Sequence, residues 1–188
     1  SCKFCNTQTG RPLPLDPDEP THVAESIALM KLSHAVITSV DRDDLPDLGA
    51  AHWAQTIREI KRLNPETTTE VLIPDFQGRK ELVDQVIKAC PEIISHNMET
   101  VKRISPQVRS AANYHTSLEV IRQIAESGIT AKSGIMVGLG ETPAEVEELM
   151  DDLISVGCKI LTIGQYLQPT HKHFPVAAYI TPEQFAVY

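Results

Sequence analysis

The sequence predicts an α/β fold, a partial (β/α) barrel of the TIM type with about five parallel strands and alternating helices. Three observations predict it. Stretches with helical period alternate with short runs along the whole chain. Those runs are mostly apolar, as buried parallel strands are. The two ends of the runs also differ. Their C-terminal ends lead into polar segments rich in functional groups: "SVDRDDL", "PDFQGR", "SHNMET", "GLGET" and "GQYLQPTHKH". The connections entering them, such as "AESGITA" and "SVGCKI", are bland. Helical crossovers of this length imply right-handed βαβ units, which a doubly wound sheet would also satisfy. The asymmetry between the rims favours a barrel, whose C-terminal face carries the site.

The elements follow in order. Asp16-Pro17-Asp18-Glu19 reads as a helix start, with a capping acid, Pro at the first helical position and Glu at the third. That helix runs to about Leu32. "HAVITSV", His34 to Val40, is a β-branched strand. A helix from Leu48 to Leu63 places Trp53, Ile57 and Ile60 on one face. "TEVLIPD" is a strand ended by Pro74, Lys80 to Ala89 a helix, and "EIISHN" a strand. Tyr114 to Ser127 is a helix stopped by Gly128, and "AKSGIMVGL" the strand after it. Thr142-Pro143-Ala144-Glu145 repeats the capping signature and opens a helix to Ser155. "KILTIGQYL" is a strand, and Thr181-Pro182-Glu183-Gln184 opens a helix reaching Tyr188.

The 188 residues suffice for a single domain, 1–188, with a full-sized core. A formal net charge of -8 argues against nucleic-acid binding, which needs a positive surface. No apolar run approaches the roughly 20 residues that span a bilayer, so no membrane association is expected. A signal peptide is not evident, and the opening at Ser1 reads as incomplete. Cys2, Cys5, Cys90 and Cys158 are too few and too unevenly spread for a secreted disulfide framework. Reduced, cytoplasmic thiols are expected, with Cys90 and Cys158 as buried packing residues.

Cys2 and Cys5 differ from that pair, because they lie in a polar segment without a core pattern. Their spacing lets both sulfurs reach one metal or one cluster face. The motif alone fits half a zinc knuckle, a thiol–disulfide pair or part of an iron–sulfur motif. Gly138-Leu139-Gly140-Glu141 follows a strand and precedes a capped helix, where glycines allow a tight turn and close backbone approach to a ligand. The third glycine of a dinucleotide fingerprint is missing, which argues against a nicotinamide site. Asn97 and Glu99 share a side of an extended segment and could bind a sugar's hydroxyls. His96 reads as a satisfied core histidine. Asp41, Asp43 and Asp44 around Arg42 fit either a metal or acid–base site or a local ion-pair cluster. His171 and His173, without acidic partners, read as a solvated loop. Arg103 and Arg109 are candidate carboxylate or phosphate ligands or plain surface residues.

Taken together, "CKFCNTQTGRPLPLDPDEP", "VITSVDRDDLPD", "VLIPDFQG", "SHNMETV", "AKSGIMVGLGET" and "LTIGQYLQPT" resemble the lipoyl synthase family of radical S-adenosylmethionine enzymes, in the right order and over essentially the whole chain. The superfamily motif is Cys-x-x-x-Cys-x-x-Cys, and Cys2 and Cys5 match its second and third cysteines. The first would precede Ser1. The family's N-terminal cysteine trio for an auxiliary cluster, its first barrel strand and its C-terminal Arg-Ser-Ser-Tyr segment have no counterpart here, so the resemblance implies a fragment of a longer protein, inactive alone. Leu48 departs from a glycine usual in the family, and His171 from a common basic residue.

The resemblance implies a [4Fe-4S] cluster on Cys2 and Cys5, S-adenosylmethionine, and a second, auxiliary [4Fe-4S] cluster in the full-length protein. It implies Phe4 near the adenine, and Gly134, Gly138 and Glu141 supporting it. Leu167 would add a backbone contact on the adenine side. Asn97 and Glu99 would serve at the ribose, and Ser39 and Arg109 at the methionine part. The implied activity is a sulfurtransferase reaction that inserts two sulfurs at C6 and C8 of a protein-bound octanoyl group. Octanoylated carriers (2-oxoacid dehydrogenase E2 domains and the glycine cleavage H protein) and a flavodoxin or ferredoxin would be the partners. A biotin-synthase-like enzyme and a non-catalytic barrel fragment with a zinc knuckle are the competing readings.

Overall fold

The computed structural model describes residues 2–7, 10, 12–109 and 111–188. Five strands, β1 (His34–Thr38), β2 (Thr68–Leu72), β3 (Ile93–Ser95), β4 (Thr130–Val137) and β5 (Ile160–Gln165), form one parallel sheet in sequential order. Between them lie α2 (Ala50–Leu63), α3 (Lys80–Lys88), α4 (Ser105–Val108) with α5 (Tyr114–Glu126), and α6 (Pro143–Ser155). Helix α1 (Glu19–Met30) precedes β1, and α7 (Pro182–Val187) follows β5. When each strand pairs with the next in sequence, right-handed crossovers put every intervening helix on the same side. Among the described residues no helix between these strands covers the other side, which forms the inside of a half-barrel.

The register separates these faces. Ala35, Val71, Ile94, Ala131, Ile135 and Val137 are buried beneath the helices, in a core that also holds Trp53, Ile57, Val83, Ile121 and Leu149. The alternate positions line the inside: Val36 beside Glu70, Leu72 beside Ser95, Ser95 beside Lys132, and Gly134 beside Thr162.

Several expectations need correction. Helix α1 begins at Glu19 rather than Pro17, because the Asp16 carboxylate caps a turn at the Asp18 amide (2.9 Å) and Pro20 occupies the first turn. Helix α2 begins at Ala50, since Leu48 and Gly49 both have positive φ (52° and 83°). Every strand ends before its predicted run: β1, β3, β4 and β5 two residues early, and β2 at Leu72, three residues before Asp75. A 3-10 turn at Phe76–Gly78 and helix α4 have too few residues to show a period. Cys90 is exposed rather than buried, and at φ 57° it closes the C-terminus of α3; Cys158 is half-buried. The capping box at Thr142 and Glu145 forms as expected.

Candidate functional site

The C-terminal rim gathers the candidate residues from loops widely separated in sequence. Beyond β3 the chain leaves regular strand geometry. Glu99 has φ 66°, yet its amide donates to the Gly134 carbonyl (3.0 Å) and its carbonyl accepts from Met136 (2.8 Å). Asn97 and Glu99 therefore reach the same cleft through a bulge stitched onto β4, not through strand alternation. A non-glycine residue held at positive φ stores strain that functional sites tolerate. Gly134 gives the Asn97 amide its room: a Cβ on it would lie 2.7 Å from Asn97 Oδ1, so that side chain would have to move. Burial raises the Glu99 pKa, opposed by Asn97 and Arg109.

Arg109 is buried and is not a surface residue. It donates to the Met98 carbonyl (3.3 Å) and to Ser117 Oγ (3.0 Å). Ser117 in turn lies 2.9 Å from His96 Nε2, and His96 Nδ1 lies 3.0 Å from the Ile73 carbonyl. A carbonyl only accepts, so Nδ1 carries the proton and Nε2 accepts from Ser117. His96 is the satisfied core histidine expected, and it also orients the serine that orients Arg109. Burial lowers the Arg109 pKa, while Glu99, Asp75, Cys2 and Asp41 all oppose that shift. Its guanidinium is thus the cation shared by the carboxylates of three loops and the cysteine segment. Desolvation raises the Asp41 pKa, with Asp43 and Asp75 adding to it.

Cys2 and Cys5 are free, half-buried thiols on one turn, closed by the Cys5 amide on the Cys2 carbonyl (3.3 Å). The Thr7 amide donates to Cys5 Sγ at 3.4 Å. Among the described residues no group of three His, Cys, Asp or Glu side chains could hold a metal ion by itself. Two thiols on one turn, with a fixed cation near Cys2, fit part of the thiolate set of an iron–sulfur cluster. Phe4 between them packs against the main core. Of the polar segment that follows, Gln8, Thr9 and Arg11 lie outside the described residues.

Glu141 closes the glycine turn after β4 by accepting from the Gly138 (2.5 Å) and Leu139 (2.9 Å) amides. Gly138 has φ 99°, and a Cβ there would meet the Ala178 carbonyl at 2.5 Å. Ser39 is exposed and donates to the Val40 carbonyl (3.0 Å), and the Leu167 side chain is 67% exposed. Arg103 is not available as an anion ligand, since it grips Glu145 (2.6 Å) and the Gly140 carbonyl (2.8 Å). Asp44 is the ion partner of Arg42 (2.8 Å), which favours the ion-pair reading of that cluster. His171 is exposed as expected, but His173 is half-buried against the cysteine turn.

The cleft inside the half-barrel has a volume of ≈ 280 Å³, and its walls include Asn97, Glu99, Gly134, Met136 and Thr162. Deeper in it, Glu70 binds Lys132 (2.7 Å), Ser95 (3.0 Å) and His34 (3.3 Å). Sequence reasoning missed this network. Its signal was the presence of Glu70 and Lys132, both charged, at alternate positions of otherwise apolar strands.

Comparison with known proteins decides the family. Residues 1–153 match the model of the Radical SAM superfamily. The whole chain is 99% identical to the lipoyl synthase of Bacteroides fragilis (strain YCH46), covering 65% of its length, and 81% identical to that of Bacteroides thetaiotaomicron, covering 67%. The chain belongs to the lipoyl synthase family of the radical SAM superfamily. The mitochondrial lipoyl synthase of Nematostella vectensis is 57% identical over 189 aligned residues. The chain spans about two thirds of the length of these curated lipoyl synthases. Among solved structures, HydG, a maturase of the [FeFe]-hydrogenase, superposes with a TM-score of 0.75 at 15% identity, over 98% of this chain and 44% of that one. Streptococcus suis SuiB bound to S-adenosylmethionine gives 0.75 at 12% identity, over 95% and 40%. At those identities the likeness is one of fold, a half-barrel shared beyond the lipoyl synthase family.

Proposed function

We propose that this chain is the radical S-adenosylmethionine core of a lipoyl synthase, which replaces one C–H bond at each of C6 and C8 of a protein-bound octanoyl group by a C–S bond. The observation that carries the reading is the convergence on one rim of the cysteine turn, the Asn97–Glu99 bulge against Gly134, and the buried Arg109. Cys2 and Cys5 would be two of the thiolates that hold a [4Fe-4S] cluster. The cluster and S-adenosylmethionine, when bound, supply a reductively generated 5′-deoxyadenosyl radical able to abstract hydrogen from an unactivated carbon.

The chain's own residues bind, orient and exclude water. Glu99 and Asn97 accept and donate hydrogen bonds at the ribose hydroxyls, and Gly134 leaves the room that Asn97 occupies. Arg109 offers its cation to the methionine carboxylate, held in place by Ser117 and His96. Ser39 adds a hydroxyl on the same side. Gly138 and Glu141 shape the turn against which the adenine rests, between Phe4 and the Leu167 backbone. The cleft wall shields the reacting carbon from solvent hydrogen donors.

In the longer protein a second, auxiliary [4Fe-4S] cluster would be the source of the sulfur. The octanoyl group arrives on a carrier lysine, of an E2 domain or a glycine cleavage H protein, and a flavodoxin or ferredoxin delivers electrons. The setting is cytoplasmic.

The test is anaerobic reconstitution of the full-length protein with iron and sulfide, followed by reductant, S-adenosylmethionine and octanoylated H protein. The expected products are 5′-deoxyadenosine and, under the reductant, a carrier heavier by two sulfurs as the dithiol, which loses two hydrogens when it is afterwards oxidised to the cyclic disulfide. Absence of both from protein with full cluster content overturns the reading.

A further inference from the structure

The segment after β5 runs back across the rim and ends against the cysteine turn. Its path is fixed at each step. The buried Tyr166 hydroxyl donates to the Phe174 carbonyl (2.7 Å), and the Gln168 amide donates to the His173 carbonyl (2.9 Å). The segment then grips the cysteine turn in two places. The Phe174 amide donates to the Lys3 carbonyl (2.8 Å), and His173 Nε2 lies 3.1 Å from the Cys5 carbonyl. From the other side, the Lys3 amide donates to the Val108 carbonyl (2.7 Å) at the end of α4.

The protonation pattern of His173 follows from its partners. The Cys5 carbonyl only accepts, so Nε2 carries the proton, and Nδ1 accepts from the Thr170 hydroxyl (2.8 Å). The ring is therefore held at both nitrogens, and it is the one side chain in this contact that reaches the backbone of a thiol-bearing residue.

We infer that His173 is a positioning residue for the cysteine turn: its imidazole, aimed by Thr170, fixes the Cys5 carbonyl and thereby the direction in which the Cys5 thiolate meets iron. This rests on the proposed function for the identity of the metal group, but not for the geometry. Groups that orient a ligand from behind contribute to metal retention, as neighbours of metal-bound histidines do. The segment's own anchors, Tyr166 and Gln168, do not involve the imidazole, so loss of the ring leaves the strap in place.

The test uses full-length protein with His173→Phe, which keeps a planar ring without a donor, and His173→Gln, whose amide nitrogen lies the same number of bonds from Cα as Nε2. Iron bound at Cys2 and Cys5 is measured after reconstitution against a Cys2→Ala/Cys5→Ala baseline, together with the electron paramagnetic resonance of the reduced cluster. The His173→Phe protein is expected to release that iron to a chelator about tenfold more readily and to show shifted resonance positions, with its unfolding midpoint unchanged. His173→Gln is expected to restore both. Wild-type retention and spectrum in His173→Phe overturn the inference. So does a loss that Gln fails to recover, since bulk rather than the donated hydrogen bond would then matter. Wild-type protein that binds no iron above the baseline overturns the proposed function instead. In that event alkylation of Cys5 in metal-free protein decides the positioning role, which requires a changed rate in His173→Phe and a wild-type rate in His173→Gln.

Discussion

At the scale of single residues, the site is defined as much by missing atoms as by side chains. Gly134 is a glycine because Asn97 occupies the volume a Cβ would need. Gly134→Ala is expected to displace Asn97 and weaken S-adenosylmethionine binding about tenfold, or about 1.4 kcal/mol, with little change in the unfolding midpoint. Titration calorimetry on reconstituted full-length protein measures this, and unchanged affinity would remove Asn97 from the ribose side. Leu48 makes the complementary case. It sits at φ 52°, a backbone conformation that costs a branched side chain about 1 kcal/mol and glycine nothing. The buried leucine side chain recovers part of that cost in packing. Such residues were legible as types but not as reasons. A glycine in a strand announces a close approach without saying what approaches.

At the scale of elements, the polar floor of the cleft joins β2 to β4 across β3. Burial raises the Glu70 pKa, but Lys132, Ser95 and His34 outweigh it, so the carboxylate stays below its ordinary range. A depressed carboxylate adds stability above its unfolded pKa and loses it as pH falls through the folded value. Lys132→Met leaves Glu70 buried without its cation. Lys132 is itself a quarter exposed, so the expected loss is about 2 kcal/mol, below the roughly 3–5 kcal/mol of a fully buried pair. Urea unfolding of the full-length protein measures it, and adding Glu70→Gln should recover part of the loss. An undiminished stability in Lys132→Met would mean that water replaces the ammonium.

The order and type of these strands and helices were readable from period and capping, because Trp53, Ile57, Ile60 and the Thr142 box obey local rules. The strand ends and the α4 turn were not, because tertiary hydrogen bonds such as Glu99 to Gly134 decide where pairing stops. The coupling of Glu70 to Lys132 spans 62 residues and depends on register, which no local window contains.

At the scale of the whole molecule, stability depends on keeping one buried imidazole neutral. His96 ties the end of β2 to α5, and its pKa is lowered to about 4, chiefly by burial, with Arg109 adding and the Ile73 carbonyl opposing. The unfolded chain takes up the proton near pH 6.5 and the folded one only near 4. Stability from this group is therefore complete above 6.5 and falls as pH drops through that window. Chemical denaturation of the full-length protein between pH 7 and 4 should show that decline, and His96→Asn should flatten this part of it while lowering stability at pH 7. An equal slope in both proteins would assign the acid sensitivity to other groups. The half-barrel itself was legible from the contrast between its rims. The placement of the segment beyond β5 against residues 2–5 was not, because no local window spans the 168-residue separation of Cys5 and His173.

Helices on only one side of the sheet give each strand two separate vocabularies. Ala35, Val71 and Ile94 answer to the volume of neighbouring side chains, whereas Val36, Leu72 and Thr162 answer only to whatever guest enters. Rewriting the second set alters the shape of the cleft while leaving intact every surface on which the helices lean. The cleft can therefore be reshaped one inward residue at a time, at positions whose volume the helical core does not use.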